Sequence, residues 1–117
     1  MRDHTKLRAF QLADELAVAV YRATTNFPRE EMFGLTSQMR RAAVSIASNI
    51  VEGAARQSKP DYLRFLDIAY GSAREVEYQI SLADKLGFLD SGNAKTLEAK
   101  AAETAKVLNG LIRGLKK

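Results

Sequence analysis

The sequence predicts an all-α protein, an up-down-up-down four-helix bundle that forms a single domain over residues 1–117. Apolar residues recur every three or four positions along most of the chain, and no segment alternates with a period of two. Short links containing Pro28, Pro60 or Gly87 separate the helical segments. Helices of about 20 to 27 residues joined by such links pack as antiparallel neighbours, which gives this topology.

The first two helices have clear boundary signals. Helix one is predicted at about residues 7–26, and Phe27-Pro28 ends it because the residue before a proline is pushed out of the helical region. Helix two is predicted at about residues 36–57, with Thr36 as its N-cap.

The last two helices are marked in the same way. Helix three, at about residues 59–86, begins with the capping sequence Ser58-Lys59-Pro60-Asp61. It ends at Gly87, a residue suited to the left-handed position after a helix. Helix four is predicted at about residues 92–115, with Ser91 as its N-cap.

The composition excludes several classes of protein. Without cysteine, the chain cannot form a disulfide framework, a thiolate zinc site or an iron–sulfur cluster. No apolar run approaches the roughly 20 residues of a transmembrane helix. The N-terminal residues lead into a charged amphipathic segment, unlike the apolar core of a signal peptide. We therefore expect a cytoplasmic protein with no membrane partner.

The positive charge is concentrated in two segments. The formal net charge is only +4, but residues 95–117 carry six basic and two acidic residues. Residues 36–59 carry four basic residues and one acidic residue, whereas residues 60–86 carry three basic and five acidic ones. Such clustering favours an anionic partner more than the total charge does.

Helix four supplies the first candidate surface for that partner. On a helical wheel Lys95, Lys106, Arg113 and Lys117 fall within about 40° of one another, opposite the apolar stripe. Such a ridge of cations could follow a phosphate backbone. The alternative is an ordinary solvated helix face, which is normally rich in lysine.

Helix two predicts an oligomer interface. A second apolar group lies roughly 120° from its core stripe and consists of Val44, Ala47, Val51, Ala54 and Ala55. Alanine is also a good helix former on exposed surfaces, but that alternative does not explain Val44 and Val51. Contiguous apolar surface usually marks a contact, so we expect a homo-oligomer.

Catalytic constellations are scarce in this sequence. The single histidine, His4, precedes the first helix, so a histidine-based triad or dyad is not expected. No glycine-rich phosphate loop is present. Glu52, Glu75 and Glu77 are better explained as salt-bridge or solvated residues than as a carboxylate site. The sequence predicts no enzyme, no catalytic residue, no metal site and no cofactor.

Two motifs carry a family resemblance. One is Phe27-Pro28…Glu31…Phe33-Gly34-Leu35…Gln38-Met39-Arg40-Arg41-Ala42-Ala43-Val44-Ser45-Ile46…Asn49-Ile50…Glu52-Gly53, and the other is Tyr62…Phe65-Leu66…Ile68-Ala69…Gly71-Ser72…Glu75…Glu77…Gln79. They resemble the bacterial four-helix-bundle proteins first noticed as reading frames in intervening sequences of large-subunit ribosomal RNA genes. Members are sometimes labelled S23 ribosomal protein. The resemblance covers the chain from Leu7 onward.

The resemblance implies a four-helix bundle that assembles as a homopentamer. The family it points to contains the accessory protein of diversity-generating retroelements, a basic pentamer that binds nucleic acid and a reverse transcriptase. It supplies no catalytic residues that could be carried over to this chain.

Together these observations predict a non-enzymatic homo-oligomer that binds RNA or DNA through contacts with the phosphate backbone. The predicted contacts are Arg40, Arg41, Arg56, Lys59, Lys95, Lys106, Arg113 and Lys117. For Arg40 and Arg41, a role in the oligomer interface or in intramolecular salt bridges is the alternative. For the whole protein, the alternative is an interaction scaffold or adaptor for a reverse transcriptase or another nucleic-acid enzyme. A metal- or cofactor-binding enzyme ranks third, opposed by the single histidine and the missing cysteines.

Overall fold

The computed structural model describes residues 2–117, and its four α-helices account for most of them. The helices are α1 (Arg8–Thr24), α2 (Leu35–Ala54), α3 (Lys59–Lys85) and α4 (Ser91–Leu115), with short 3-10 turns at His4–Lys6 and Arg29–Glu31. No β-strand occurs between residues 2 and 117. The molecule measures 43 × 23 × 19 Å along its principal axes.

Each helix packs against two neighbours. α1 contacts α2 and α4, and α3 likewise contacts α2 and α4. The diagonal pairs make no close backbone contact within the part of the chain that the structure describes. Because consecutive helices are joined by short links, they run antiparallel around this square. The all-helical fold and the four-helix architecture predicted from the sequence are confirmed.

One apolar core runs along the inside of the square. Its largest fully buried side chains come from all four helices and include Leu16, Met39, Ile46, Leu66 and Leu108. A fully buried side chain of this size contributes about 1.5 to 3 kcal/mol relative to an exposed one. The core therefore fixes which face of each helix points outward.

The start of α2 differs from the prediction. The helix begins at Leu35, and Thr36 is buried within it, so Thr36 is not the N-cap. The carboxylate of Glu31 instead accepts a hydrogen bond from the backbone N–H of Leu35, at 3.0 Å. Gly34 leaves room for this carboxylate, because a Cβ at Gly34 would lie 2.8 Å from Oε1 of Glu31.

The start of α3 agrees with the prediction, and the start of α4 is shifted by one residue. Ser58 caps α3 by accepting a hydrogen bond from the backbone N–H of Asp61, at 3.2 Å. At α4 the N-cap is Asp90, whose Oδ1 accepts from the N–H of Asn93 at 2.8 Å, and the predicted cap Ser91 is the first helical residue.

The end of α3 confirms the role predicted for Gly87. This residue has a φ of +77°, in the left-handed region that favours glycine. The backbone N–H of Gly87 donates to the carbonyl of Asp84 at 3.0 Å, and the N–H of Phe88 donates to that of Ala83 at 2.9 Å. These two bonds satisfy carbonyls in the last turn of the helix.

Candidate nucleic-acid interface

The outward side of α4 carries a row of cations. We define the α4 outer face as Lys95, Lys106, Arg113 and Lys117, all of which are exposed. None of the four forms a salt bridge with a carboxylate among residues 2–117. With a rise of about 1.5 Å per residue, the three cations within α4, from Lys95 to Arg113, extend for roughly 27 Å along the helix axis, and Lys117 follows the C-cap Lys116. The structure therefore brings these predicted site residues together on one free surface.

The surroundings of the α4 outer face leave it accessible. Ala99, Ala102, Gly110 and Gly114 are exposed residues of the same helix, and none has a long side chain. The nearby acid Glu103 is paired across to α1, where a guanidinium nitrogen of Arg8 lies 2.9 Å from its Oε1. The pairing with Arg8 offsets the negative charge that Glu103 would otherwise add beside this face.

Arg40 makes contacts within the fold. Its Nε donates a hydrogen bond to Oγ1 of Thr24 at 2.8 Å, and a terminal nitrogen donates to the carbonyl of Tyr21 at 3.3 Å. Its guanidinium carbon also lies 4.7 Å from the centre of the Tyr21 ring. Arg40 therefore joins α2 to the end of α1 by hydrogen bonds and a ring contact, without the intramolecular salt bridge considered as an alternative, and its contact with phosphate stays a prediction.

Arg41 lies at a shallow groove between α2 and α3. The groove is lined by Arg41 together with Gln38, Ala42, Ser45, Ser72 and Glu75. At its floor the hydroxyl oxygens of Ser45 and Ser72 are 2.9 Å apart, a hydrogen bond that links the two helices. Arg41 is exposed, and it forms no salt bridge within the described residues. It is separated from the α4 outer face because α2 and α4 are diagonal in the bundle.

Arg56 and Lys59 lie at the end of the bundle where α2 stops and α3 begins, and both are exposed. Two arginines that the sequence analysis did not select contribute to the same region. The guanidinium of Arg2 donates to the backbone carbonyl of Arg56 at 2.6 Å, and Arg64 extends from the first turns of α3. We call Arg2, Arg56 and Arg64 the arginine cluster.

Two aromatic rings hold the arginine cluster. The guanidinium carbon of Arg2 lies 4.1 Å from the centre of the Tyr62 ring, and those of Arg56 and Arg64 lie 4.7 and 4.5 Å from the centre of Phe65. Burial raises the pKa of the Tyr62 phenol, and the neighbouring charge of Arg2 opposes that effect. A helical wheel could not reveal this cluster, since its members come from three separate segments.

The outward side of α2 carries no charged residue between Ala42 and Val51, with Arg41 before this stretch and Glu52 after it. Val44 is 41% exposed, Ala55 is exposed, and Ala47 and Val51 are half-buried. We call these four residues the α2 outer face, and Ser37 and Ser48 lie beside them on the helix. Ala54 is only 1% exposed within a single chain, so its inclusion in the predicted interface is corrected.

The three glutamates considered as a carboxylate site each lie beside a partner three or four residues away in the sequence. Glu52 is 3.9 Å from Arg56, and Glu77 is 3.3 Å from Arg74. Glu75 accepts a hydrogen bond from the side-chain amide of Gln79 at 3.0 Å. Among residues 2–117, no group of three histidine, cysteine, aspartate or glutamate side chains is arranged to hold a metal ion.

An exposed apolar tip lies at the end of the bundle opposite the arginine cluster. Phe33 is 94% exposed, and Met32 and Leu86 are 55% and 53% exposed. We call these three residues the apolar tip. Met32 and Phe33 lie in the link between α1 and α2, and Leu86 directly follows α3, so none of them is among the predicted contact residues. Over the described range, no helix is both long and apolar enough to span a membrane.

The fold and surface together define a small four-helix bundle with one basic outer helix and an uncharged face on another. The chain matches the family model for the 23S rRNA-intervening sequence protein over residues 5–110, and it belongs to that family. Its fold is similar to a crystal structure of a protein with unknown function from the S23 ribosomal protein family of Bacteroides thetaiotaomicron VPI-5482.

That structural similarity extends over nearly the whole of both chains. The TM-score is 0.80 with 26% sequence identity, and the alignment covers 89% of this chain and 97% of the other. A search of curated proteins gives no match. The family resemblance drawn from the two sequence motifs is confirmed.

Proposed function

We propose that this protein is a non-enzymatic homo-oligomer of the cytoplasm that binds RNA or DNA through the phosphate backbone. The observation that carries the proposal is the α4 outer face, where three exposed cations of the helix and Lys117 just beyond it are not paired with a carboxylate among the described residues. Unpaired surface cations raise the local concentration of a polyanion and release its counterions on binding.

The side chains on this face favour contacts with phosphates over the reading of bases. Lysine and arginine bind phosphate oxygens, which position a protein on nucleic acid without reading sequence. α4 contains no aromatic residue, so the face provides no aromatic ring on which a base could stack. We expect binding that depends strongly on salt and weakly on sequence.

Self-association would increase the strength of this binding. The α2 outer face carries no charge, and exposed Val44 with half-buried Val51 provides apolar surface for a second copy. Several copies, five if the family's assembly is shared, would present several α4 outer faces to one nucleic-acid chain. The second contact then benefits from a high effective concentration.

The oligomer is tested by Val44→Glu combined with Val51→Glu. A charge on each valine should dissociate the assembly into smaller species, as measured by light scattering coupled to size exclusion. Val18→Glu is the matched control, because Val18 is 45% exposed on α1, outside the α2 outer face. A wild-type monomer at micromolar concentration, or unchanged mass in the double variant, would contradict the proposed interface.

Nucleic-acid binding is tested by fluorescence anisotropy with labelled RNA, single-stranded DNA and duplex DNA at several salt concentrations. Lys106→Glu with Arg113→Glu should weaken binding and make it less sensitive to salt. Loss of two phosphate contacts lowers the slope of log K against log salt by about 1.8 for duplex DNA. The control is Arg29→Glu, a single charge reversal at an exposed residue that lies neither in α4 nor in the groove between α1 and α4.

A second candidate function is an interaction scaffold, and the apolar tip is the observation that favours it. A phenylalanine that is 94% exposed suits burial against another protein. The anisotropy titration separates the two functions. A folded wild-type protein that binds none of the three probes at low salt would rule out the nucleic-acid function and leave the scaffold.

A further inference from the structure

The arginine cluster brings three positive charges together at one end of the bundle. Arg56 and Arg64 approach the same ring, Phe65, with their guanidinium carbons 4.7 and 4.5 Å from its centre. Arg2 lies over Tyr62 and donates to the backbone carbonyl of Arg56, which joins it to the other two. Three positive charges gathered at one end of the bundle favour an anionic ligand.

Carboxylates on the protein compensate the cluster only weakly. Glu52 lies 3.9 Å from Arg56 and Asp61 lies 3.6 Å from Arg64, both beyond hydrogen-bonding distance and largely exposed. Exposed ion pairs of this kind contribute little stabilisation. Each guanidinium has five N–H donors. Among the described residues, the only side-chain hydrogen bond from the three is the bond from Arg2 to the carbonyl of Arg56.

The rings hold the guanidiniums without using their donors. In a cation–π contact the guanidinium interacts with the ring face through its charge and its flat surface. Its N–H groups remain free to bind an oxyanion in a two-bond fork. Phe65 and Tyr62 are themselves 8% and 2% exposed, and Tyr62 belongs to the apolar core of the bundle.

The charge around the cluster extends toward α4. The start of α1, the α2–α3 turn and the end of α4 meet at this end of the bundle because neighbouring helices are antiparallel. Residues 2–10, 51–66 and 108–117 together contain nine lysines and arginines but only three aspartates and glutamates. Lys59 and Arg113 are both in this set, so the basic surface includes the cluster and the last part of the α4 outer face.

We propose that the arginine cluster is a phosphate-binding site that grips the backbone of the nucleic acid at the end of the bundle, with guanidinium forks on successive phosphates. This inference rests on the proposed function, since it assigns a second contact surface for the same ligand. The cluster differs from the α4 outer face in that its guanidiniums are oriented as well as charged. Its arginines are held by rings, whereas the cations of the α4 outer face act as separate point contacts.

The test combines two double variants with the same anisotropy titration. Arg56→Gln with Arg64→Gln should lower the salt slope by about 1.8 for duplex DNA. When the salt concentration rises from about 50 to about 200 mM, the affinity of both proteins falls, and the factor by which it falls should be roughly 12 times smaller for the variant. Arg56→Lys with Arg64→Lys keeps the charges and should restore the slope, while binding more weakly than wild type because lysine cannot form the fork.

Controls separate this inference from the proposed function. Arg29→Gln removes one charge from the opposite end of the bundle and should leave binding near the wild-type level. Circular dichroism must show that the variants fold. If loss of the contacts to Phe65 unfolds the glutamine variant, Arg2→Gln provides the test, since Arg2 precedes the helices, and it should lower the salt slope by about 0.9.

Each outcome has a distinct meaning. If wild type binds and Lys106→Glu with Arg113→Glu weakens binding, but the folded glutamine variant matches wild type, the arginine cluster is not a phosphate site and the proposed function stands. If wild type binds no nucleic acid, both fail. Equal binding of polyglutamate and nucleic acid at the same salt would also overturn the inference, because it would show charge attraction without a phosphate-specific fork.

Discussion

Two glycines in the helices should respond in opposite ways to the same substitution. Gly71 lies in the middle of α3, where an added Cβ would meet no atom within 4 Å. Gly53 lies in the last turn of α2, where an added Cβ would lie 3.0 Å from Cβ of Phe65 and 3.3 Å from the backbone oxygen of Tyr62. We expect Gly71→Ala to stabilise the protein and Gly53→Ala to destabilise it.

The magnitudes follow from these contacts. At Gly71, alanine gains about 1 kcal/mol of helix propensity without a steric cost. At Gly53 the close atoms are backbone and Cβ, which cannot rotate away, so overpacking costs about 1 to 3 kcal/mol. The propensity gain is smaller in a last turn, which leaves a net loss of about 1 to 2 kcal/mol. For a chain of 117 residues, each kcal/mol changes Tm by about 4 °C.

Thermal unfolding followed by circular dichroism measures both changes. All samples must have the same protein concentration, because self-association would make Tm depend on concentration. Gly110→Ala is a second open-site control, since its added Cβ also meets nothing within 4 Å. An increase in Tm for Gly53→Ala equal to that for Gly71→Ala would refute the claim that α2 and α3 are in close contact at Gly53.

Three further predictions concern stability. Arg40→Gln should cost about 1.5 kcal/mol in urea unfolding through its lost hydrogen bonds to α1, while Arg41→Gln should stay within about 0.5 kcal/mol of wild type; equal losses would contradict the structural role of Arg40. Ser58→Ala should cost about 1 kcal/mol by removing the cap of α3, and Ser91→Ala should cost much less because Asp90 caps α4; the reverse order in Tm would show that the caps are misassigned. Because burial raises the pKa of Tyr62 in the folded state, its contribution is present below the ordinary value of 10.0 and is lost as pH rises through the raised pKa. The urea midpoint of the wild type should therefore fall as the pH rises above 10.0, and that of Tyr62→Phe should fall less steeply. Identical dependence of the two midpoints on pH would contradict the effect.

The helices were predictable because the spacing of apolar residues and the residues that start and stop helices are local signals in the sequence. The predicted starts agree with the structure to within one residue, and α2 shows the largest error at an end, stopping at Ala54 three residues earlier than expected. The N-caps were harder to predict. Glu31 caps α2 from the preceding turn, and Asp90 and Ser91 are both chemically able to cap α4. Which of these side chains acts as the N-cap depends on the backbone conformation before the helix, which the sequence alone does not give.

The candidate site was predictable only where one helix forms it. The α4 outer face follows from the helical wheel, since three of its residues share one α-helix and Lys117 directly follows its C-cap. Arg40 could not be assigned in this way, because its partner Thr24 is 16 residues away on another helix. The arginine cluster depends on Arg2 and Arg56, which are 54 residues apart. Contacts between segments decide whether an arginine is free for a ligand or used by the fold.

The arrangement of the helices also has a consequence for the order of folding. Three of the four neighbouring pairs are consecutive in the chain, so each can form as a local hairpin. The α1–α4 pair alone joins distant segments, as the 95-residue separation between Arg8 and Glu103 shows. Closing such a long loop carries the largest entropy cost of the four contacts. We expect α1 and α4 to dock last and their amides to show the earliest sub-global hydrogen exchange, next to the basic face of α4.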